Sequence, residues 1–235
     1  MKILAIDTSA IVATVAVTED SKPLAQYTVN NGNTHSETLL PMIESMLKSL
    51  TLSVSDIDLF ALSAGPGSFT GVRIGAATIK GLAFDSSKPC AEVSTLEALA
   101  QNLVLHKGLI CPVMNARRSQ VYTALFSSDG ENLTRLMPDS ALAISELDEL
   151  LSKYGEAVAL VGDGYGITQK DLKLTPTVFV PHAQRDQSAL SVASVAYNKY
   201  LRGEICSDAS LSVNYLRPSQ AERERAEREA QKNEK

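Results

Sequence analysis

Short apolar runs separated by polar turns occupy the first part of the chain. Residues 3–6 form an uninterrupted apolar segment that ends at Asp7, and two further runs follow at 14–18 and 24–29. Apolar runs this short, bounded by turn residues, are typical of β-strands. The pattern predicts a three-stranded meander with an acidic residue directly after its first strand.

A helical period follows the polar loop at residues 30–33. Thr34 and Glu37 have the spacing of a capping box, which places the start of a helix here. The apolar residues from there to residue 50 cover an arc broader than one contact seam needs. Pro41 falls inside this helix and removes one backbone hydrogen bond, which predicts a kink or a later start.

The run from Gly65 to Gly75 is the most specific stretch of the sequence. It lies between a predicted strand at 58–63 and a helix of small apolar residues at 73–84. Backbone amides in such a loop can hold a phosphate or a carboxylate. However, the spacing matches no P-loop or dinucleotide motif, and Lys80 comes too late to be a P-loop lysine.

A structural interpretation of this loop stays open beside the phosphate-binding one. Glycines let a strand pack close to a helix, and Ser68 or Thr70 has the right position to cap that helix. The residues assigned to this structural loop are Gly65, Pro66, Gly67, Ser68, Phe69, Thr70 and Gly71.

The helices on either side of this region carry more apolar surface than one face of a sheet covers. This excess favours a partner that packs helix against helix. The alternative is that later segments of the same chain cover both helices. The predicted partner-binding residues are Leu39, Leu40, Ile43, Met46, Leu47, Val72, Arg73, Ala76, Ile79, Lys80 and Ala83.

The pattern of the amino-terminal segment restarts near residue 108. A strand at 109–114 ends at Asn115, and a second strand, a turn and a third strand follow. Such a duplication predicts two related α/β lobes, each with a mixed sheet and flanking helices. The predicted domains are an N-terminal lobe at 1–107 with the docking helices, a smaller C-terminal lobe at 108–217, and a charged tail at 218–235.

Composition narrows the classes of function. The formal net charge is −5 and the isoelectric point is about 5.3, which argues against a broad nucleic-acid-binding surface. The cysteines at 90, 111 and 206 are widely spaced and form no C-x-x-C motif, which favours small core residues in a reducing compartment. No apolar run is long enough to span a membrane. We therefore expect a cytoplasmic, soluble protein.

Candidate chemistry is sparse. His35 and Glu37 have a spacing that two metal ligands could use, but His106 and His182 lie in no ligand spacing, so no metal site is predicted. No catalytic residue is predicted either.

Several motifs together resemble the TsaB family, also called YeaZ. They are the amino-terminal segment 2–9, the residues at 35–41, the run Gly65–Gly75, the residues at 116–122, the loop at 162–164 and the residues at 215–217. The resemblance implies a two-lobed fold of the actin-like (ASKHA) superfamily. In that superfamily the loop after the first strand approaches ATP phosphates, which makes Asp7, Thr8 and Ser9 the candidates for contact with a nucleotide.

The same resemblance implies a function. TsaB proteins are non-catalytic subunits that bind and activate the paralogous transferase TsaD, which makes threonylcarbamoyladenosine beside the anticodon of tRNA. The first two helices are expected to dock on TsaD, or on a second copy of the chain when TsaD is absent. The ATPase TsaE is a further partner, and tRNA is reached only through the complex. No cofactor is expected on the chain alone, and ATP or ADP would bind at the partner interface.

The sequence departs from the family pattern at two positions. Asn115 and Gln120 stand where the family often has acids, and an amide brings no charge to a metal ion. Asp7 is then a lone carboxylate, without the second acid of an actin-like phosphotransferase. The alternative function is an actin-like ATPase or kinase that uses Asp7 and the Gly65–Gly75 loop. A metallopeptidase is a third and less supported class.

Overall fold

The computed structural model describes residues 1–217, which form two five-stranded mixed sheets. The first sheet contains β1 (Lys2–Asp7), β2 (Ala13–Glu19), β3 (Lys22–Val29), β4 (Leu59–Ser63) and β5 (Cys90–Val93). The second sheet contains β6 (Gly108–Asn115), β7 (Gln120–Ser128), β8 (Leu133–Ala143), β9 (Val158–Val161) and β10 (Thr177–Val178). The α-helices are α1 (His35–Ser49), α2 (Phe69–Ala83), α3 (Thr95–Gln101), α4 (Ile144–Ser152), α5 (Tyr165–Asp171) and α6 (Ala189–Leu201).

The two sheets have the same topology. The first runs in the order β3-β2-β1-β4-β5 and the second in the order β8-β7-β6-β9-β10. In each, the first three strands are antiparallel neighbours, and the remaining pairs are parallel. The predicted fold class is confirmed as α/β, with two related lobes that each contain a mixed sheet and flanking helices. Asp7 and Asn115 occupy matching positions, each at the end of the central strand of its sheet.

The first sheet buries both of its faces, because alternate residues of a strand point to opposite sides. Leu4 and Ile6 of β1 share a core with α1 and α2. Ile3 and Ala5, the residues between and before them, share a separate core with α6. The apolar run at 3–6 is therefore a strand covered on both sides, as its lack of polar residues predicts.

Helix α1 begins where the capping box predicts. The backbone N–H of Thr34 donates to Oε2 of Glu37 at 3.3 Å, and the N–H of Glu37 donates to the carbonyl oxygen of Thr34 at 3.1 Å. The helix starts before Pro41 and continues through it to Ser49. Pro41 is exposed, so its ring lies on the solvent side of the helix.

Two helices pack on the sheet of the other lobe, so the packing does not follow the predicted boundary at residue 107. Leu96, Leu99 and Leu103, in and after α3, belong to the core of the second sheet. Helix α6, which comes late in the chain, packs on the first sheet. Each lobe therefore receives a helix from the other half of the sequence, and this exchange joins the two lobes through their cores.

Residues 206–217 form an extended segment, here called the C-terminal strap. It begins beside β5, where Cys206 pairs with Cys90, and Leu211 is buried in the core of α1 and α2. Farther along, the N–H of Asn214 donates to the carbonyl oxygen of Ala64 at 2.7 Å. The strap thus covers the edge of the first sheet and reaches the glycine loop. The predicted charged tail at 218–235 lies outside the described residues.

Candidate functional site

The glycine loop packs its backbone directly against the polar residues that follow β1. A Cβ atom at Gly67 would lie 2.4 Å from the carbonyl oxygen of Ser9, and one at Gly71 would lie 2.0 Å from that of Thr8. The N–H of Ser68 donates to the Ser9 carbonyl oxygen at 2.7 Å. At these two positions a side chain would collide with backbone, so glycine is required for the contact between the two loops.

The same loop starts α2. The Ser68 hydroxyl accepts a hydrogen bond from the N–H of Gly71 at 3.3 Å, so Ser68, rather than Thr70, is the N-cap. Gly65 has a φ of +109°, and a Cβ there would lie 2.5 Å from the carbonyl oxygen of Asn214 in the C-terminal strap. The loop therefore supports three neighbours at once: the first strand, the helix it begins, and the strap.

Asp7 is buried below this loop, with an exposed fraction of 1%. Its Oδ1 accepts hydrogen bonds from the backbone N–H of Ser9 at 2.8 Å and from its hydroxyl at 2.6 Å. Oδ2 makes no hydrogen bond. Burial raises the pKa of Asp7, and the Ser9 hydrogen bonds, the Ser63 hydroxyl and His35 oppose that rise only in part. The carboxyl group of Asp7 is thus held in place chiefly by its two hydrogen bonds from Ser9.

A cleft of about 630 Å³ lies between the two lobes. Its walls include the glycine loop and the loop after β1 on one side, and the loop after β6 and the end of the strap on the other. All three predicted nucleotide candidates are buried, and of them Ser9 borders this cleft whereas Asp7 and Thr8 do not. The hydroxyl of Thr8 donates instead to the carbonyl oxygen of Gly71 at 2.8 Å.

The two amides that replace acids have structural partners. Oδ1 of Asn115 accepts a hydrogen bond from the N–H of Arg117 at 2.9 Å and so shapes the loop between β6 and β7. Oε1 of Gln120 accepts one from the guanidinium of Arg217 at 2.5 Å, which fastens the end of the strap to the second lobe. The sequence alone did not reveal these roles, because each depends on a neighbour that the fold supplies.

In the described part of the chain, His, Cys, Asp and Glu side chains form no group of three or more that could bind a metal ion. The ring of His35 is hydrogen-bonded to the carbonyl oxygen of Ala10 at 2.7 Å. Glu37 caps α1. The two residues with ligand-like spacing therefore both have structural partners.

Most of the predicted partner-binding side chains are covered by the protein itself. Eight are buried, with exposed fractions of at most 9%: Leu39, Ile43, Met46, Leu47, Val72, Ala76, Ile79 and Ala83. All of them except Val72 belong to the core on one face of the first sheet, and Leu211 of the strap joins the same core. The apolar excess read from the sequence is therefore largely used inside the chain, as the alternative interpretation held.

Three of the predicted residues remain accessible. Leu40 is 54% exposed, Arg73 is exposed and Lys80 is half-buried. Arg73 donates to the phenol oxygen of Tyr215 at 2.6 Å, and Lys80 donates to the carbonyl oxygen of Ala209 at 3.2 Å. Both basic residues thus hold the C-terminal strap on α2. Among the predicted partner-binding residues, Leu40 is the apolar one that is exposed to solvent.

The predicted partner-binding set left out the small and apolar residues that are exposed on and just after α2. Ala77 and Gly81 are exposed at a spacing of four, and Phe84 at the end of the helix is 77% exposed. A Cβ at Gly81 would meet no atom within 4 Å. Leu40, Ala77, Gly81 and Phe84 are called the α1–α2 face below. The available signal was Gly81 itself, a glycine in a helix interior with no turn to make.

Among residues 1–217, the structure contains no helix that is both long and apolar enough to cross a bilayer.

Comparison with known proteins was made for both sequence and structure. Residues 29–227 match the family model described as "TsaD: tRNA N6-adenosine threonylcarbamoyltransferase". A Bacillus subtilis protein named "tRNA threonylcarbamoyladenosine biosynthesis protein TsaB" is 35% identical over 69% of this chain and 71% of its own length. An Escherichia coli protein of the same name is 37% identical over 55% of this chain and 56% of its own length.

Solved structures give the same result over a larger part of the chain. YeaZ from Pseudomonas aeruginosa has a TM-score of 0.74 at 25% identity and covers 92% of this chain and 99% of its own. A Pseudomonas aeruginosa protein described as similar to the peptidase YeaZ has a TM-score of 0.79 at the same identity and coverage. The chain therefore belongs to the family that the model describes and, within it, to the TsaB (YeaZ) proteins of tRNA threonylcarbamoyladenosine biosynthesis.

Proposed function

We propose that this chain is a non-catalytic subunit that binds and activates a TsaD-type transferase when threonylcarbamoyladenosine is formed next to the tRNA anticodon. The names of its relatives support a role in this biosynthesis. The observation that carries the binding role is the α1–α2 face, where Leu40 and Phe84 expose 54% and 77% of their surface. Large apolar side chains exposed on two helices that pack on the same side of one sheet are suited to bury against another helix pair.

Small residues give this face its geometry. Helices α1 and α2 pack on the same side of the first sheet, so their outward residues point to the same side of the molecule. Ala77 and Gly81 place little side-chain bulk on the exposed side of α2, and Phe84 follows the last residue of the helix. Two helices approach closely where side chains are small, because the backbone of one can then contact the other. The proposed occupant is a helix of the transferase.

The non-catalytic part of the proposal rests on the surroundings of Asp7. A phosphotransferase of the actin-like kind needs carboxylates that reach a metal-bound phosphate. Asp7 is buried, stands outside the cleft lining, and has Asn115 at the matching position of the second lobe. In the glycine loop, the N–H of Ser68 donates to the carbonyl oxygen of Ser9 and the N–H of Gly71 donates to the Ser68 hydroxyl, so these two amides are already used within the protein. These features favour a scaffold over an enzyme.

The finer predictions follow from this proposal. Without the transferase, the same face would pair two copies of this chain into a homodimer. A TsaE-type ATPase would join the complex, tRNA would bind only through it, and ATP or ADP would bind at the partner interface. The expected location is the cytoplasm.

The test is reconstitution. A TsaD-type transferase, tRNA and an activated threonylcarbamoyl donor are assayed for the modified nucleoside with and without this chain. The proposal expects a large increase in product when the chain is added and no product from the chain alone. Equal product with and without the chain would contradict an activating role.

The alternative function is an actin-like ATPase or kinase that uses Asp7 and the Gly65–Gly75 loop. The observation that favours it is the cleft of about 630 Å³ between the lobes, which could hold a nucleotide. That protein would bind or hydrolyse ATP with magnesium by itself, and Asp7→Ala would abolish the activity. Turnover by the purified chain that depends on Asp7 would replace the proposed function with this one. Absence of turnover would remove the alternative.

A further inference from the structure

Cys90 and Cys206 lie directly opposite each other where the C-terminal strap meets β5. They form an antiparallel bridge in which each N–H donates to the other residue's carbonyl oxygen at 2.8 Å. Residues paired in this way have Cα atoms about 5.5 Å apart. That separation falls in the range of about 4.4–6.8 Å that the Cα atoms of disulfides span. Opposed Cβ atoms are about 4.5–5.5 Å apart and a disulfide needs about 3.5–4.5 Å, so the strap must move toward β5 by about 1 Å for the bond to close.

The two thiols are also on the same side of the sheet. Opposed residues of an antiparallel pair place their side chains on one face. Cys90 and Cys206 belong to the same apolar core, and Sγ of Cys206 lies 3.5 Å from the carbonyl oxygen of Cys90. Both are reduced in the structure. The fold therefore brings together two thiols that are 116 positions apart in sequence.

Access to these thiols is asymmetric. Cys90 is fully buried, whereas Cys206 is partly exposed on the strap. An oxidant in solution would thus meet Cys206 first, and Cys90 would be the neighbouring thiol that completes the reaction. Cys111 is buried in the core of the second lobe and cannot take part in this pair.

We infer that Cys90 and Cys206 are a site of reversible oxidation, at which a peroxide closes a disulfide between the strap and the first sheet. The thiolate of Cys206 attacks one oxygen of hydrogen peroxide, which breaks the O–O bond and gives a sulfenic acid and, after protonation, water. The thiol of Cys90 then loses its proton and attacks that sulfur, which forms the S–S bond and releases a second water. Two thiols are oxidised and one peroxide is reduced.

The environment makes this a slow reaction at neutral pH. Burial, with the negative charge of Glu92 beside it, raises the pKa of Cys206 to about 11. Burial, with Cys206 next to it, raises the pKa of Cys90 to about 12. The thiolate is the reactive form. At pH values below these pKa values, the rate of oxidation therefore rises about tenfold for each unit by which the pH is increased. The site responds to sustained oxidation and not to brief exposure.

A disulfide here would fix the strap along the edge of β5. The strap carries Leu211 in the core and Tyr215 against α2, so its release exposes apolar surface and frees α2. A cross-link between residues so far apart in sequence removes conformational entropy from the unfolded chain. The oxidised protein should therefore unfold at a higher temperature than the reduced protein.

The test treats the full chain with hydrogen peroxide, blocks the remaining thiols, and maps tryptic peptides under non-reducing conditions. The expected product is a peptide containing residue 90 linked to one containing residue 206, with a raised melting temperature that dithiothreitol reverses. The yield at fixed time should rise between pH 7 and pH 9. The variant Cys111→Ala, which keeps only the pair, should give the same link in monomeric protein.

Cys206→Ser is the matched control, and it should give no internal link and no stabilisation on peroxide treatment. A peroxide-treated wild type that carries Cys206 as a sulfinic or sulfonic acid, with Cys90 still a free thiol, would overturn the inference. So would a link that forms only between molecules.

Discussion

Gly71 and Thr8 are in contact through their backbones, so that a Cβ atom on Gly71 would lie 2.0 Å from the carbonyl oxygen of Thr8. The Thr8 hydroxyl in turn donates to the carbonyl oxygen of Gly71 at 2.8 Å. This pair joins the first turn of α2 to the residue that follows β1, and Gly71 allows the contact because it has no side chain of its own. The glycine loop thus serves to place α2 close to the sheet.

Gly71→Ala should destabilise the protein strongly. The added methyl group collides with backbone rather than with a flexible side chain, so α2 must move away from β1. Overpacking of this kind costs about 1–3 kcal/mol, and we expect the upper end of that range or more. Urea denaturation of the variant and the wild type measures the difference. An unchanged midpoint would mean that the two loops are not packed as described.

Gly81→Ala should have the opposite effect on the isolated chain. The added methyl group meets open space, and alanine is about 0.5–1 kcal/mol more favourable than glycine inside a helix. The melting temperature should therefore rise. If a helix of the transferase packs against Gly81, the same variant should bind that transferase at least about tenfold more weakly, because the methyl group separates the two backbones.

Gly166→Ala is the control for that prediction. Gly166 lies in α5 and also faces open space, but it is outside the α1–α2 face. Its substitution should leave affinity for the transferase unchanged. Equal affinities for the wild type and Gly81→Ala, measured by isothermal titration, would show that no partner helix approaches this glycine.

Asp7→Asn should stabilise the protein at neutral pH. The pKa of Asp7 is raised above 3.8 in the folded state, chiefly by burial, so ionisation above that value disfavours the folded state. The amide keeps an acceptor for Ser9 and removes the buried charge, which should raise the free energy of unfolding by about 1–3 kcal/mol. The gain should shrink as the pH falls below about 4, where the unfolded chain also binds the proton. A loss of stability at pH 7 would contradict this account.

Asp148 should behave in the opposite way. Its carboxylate accepts hydrogen bonds from the N–H groups of Lys173 at 2.6 Å, Leu174 at 2.9 Å and Thr175 at 3.0 Å. Burial acts to raise its pKa, but these hydrogen bonds outweigh it, and the pKa lies below 3.8. The stability that the charged Asp148 contributes is therefore complete above pH 3.8, the pKa of the unfolded chain. It is lost as the pH falls through the lower pKa of Asp148 in the folded state.

Asp148→Asn should lower the free energy of unfolding at pH 7 by about 2 kcal/mol, since its NH2 group would oppose at least one of the three N–H donors and the charge on the acceptor is lost. The difference in the free energy of unfolding between the variant and the wild type should become smaller as the pH falls below 4. Chemical denaturation at several pH values measures it. A difference that stays constant down to pH 2 would show that the charge of Asp148 plays no part.

The local signals of the sequence led to correct local structure. Thr34 and Glu37 act within one turn of helix, and Ser68 caps a helix three residues away, so neighbouring residues determine these features. The duplicated strand pattern also predicted the two matching sheets. Helix α5 was missed because Gly164 and Gly166 read as a turn. In the fold, Gly164 only precedes the helix and Gly166 lies within its first turn.

Long-range covering could not be read from the sequence in the same way. Nothing near Ile43 or Ile79 indicates that Leu211, far along the chain, completes their core. Most of the predicted partner-binding residues are therefore buried within the chain. An apolar stripe on a helix does not indicate whether the same chain or a partner covers it. The roles of Gln120 and Arg73 likewise depend on the strap.

The central claim is that the α1–α2 face binds the transferase, and Leu40→Glu tests it most directly. Leu40 is 54% exposed, so a charge there should leave the monomer folded. Its burial without a partner charge in the complex should weaken binding by about 100-fold or more. Leu201→Glu is the matched control, because Leu201 is 65% exposed on α6, on the opposite face of the first sheet.

Sedimentation velocity of each variant mixed with a TsaD-type transferase gives the decisive measurement. The account predicts that the wild type and Leu201→Glu form the complex and that Leu40→Glu sediments as free monomer. A complex of unchanged affinity with Leu40→Glu would contradict it.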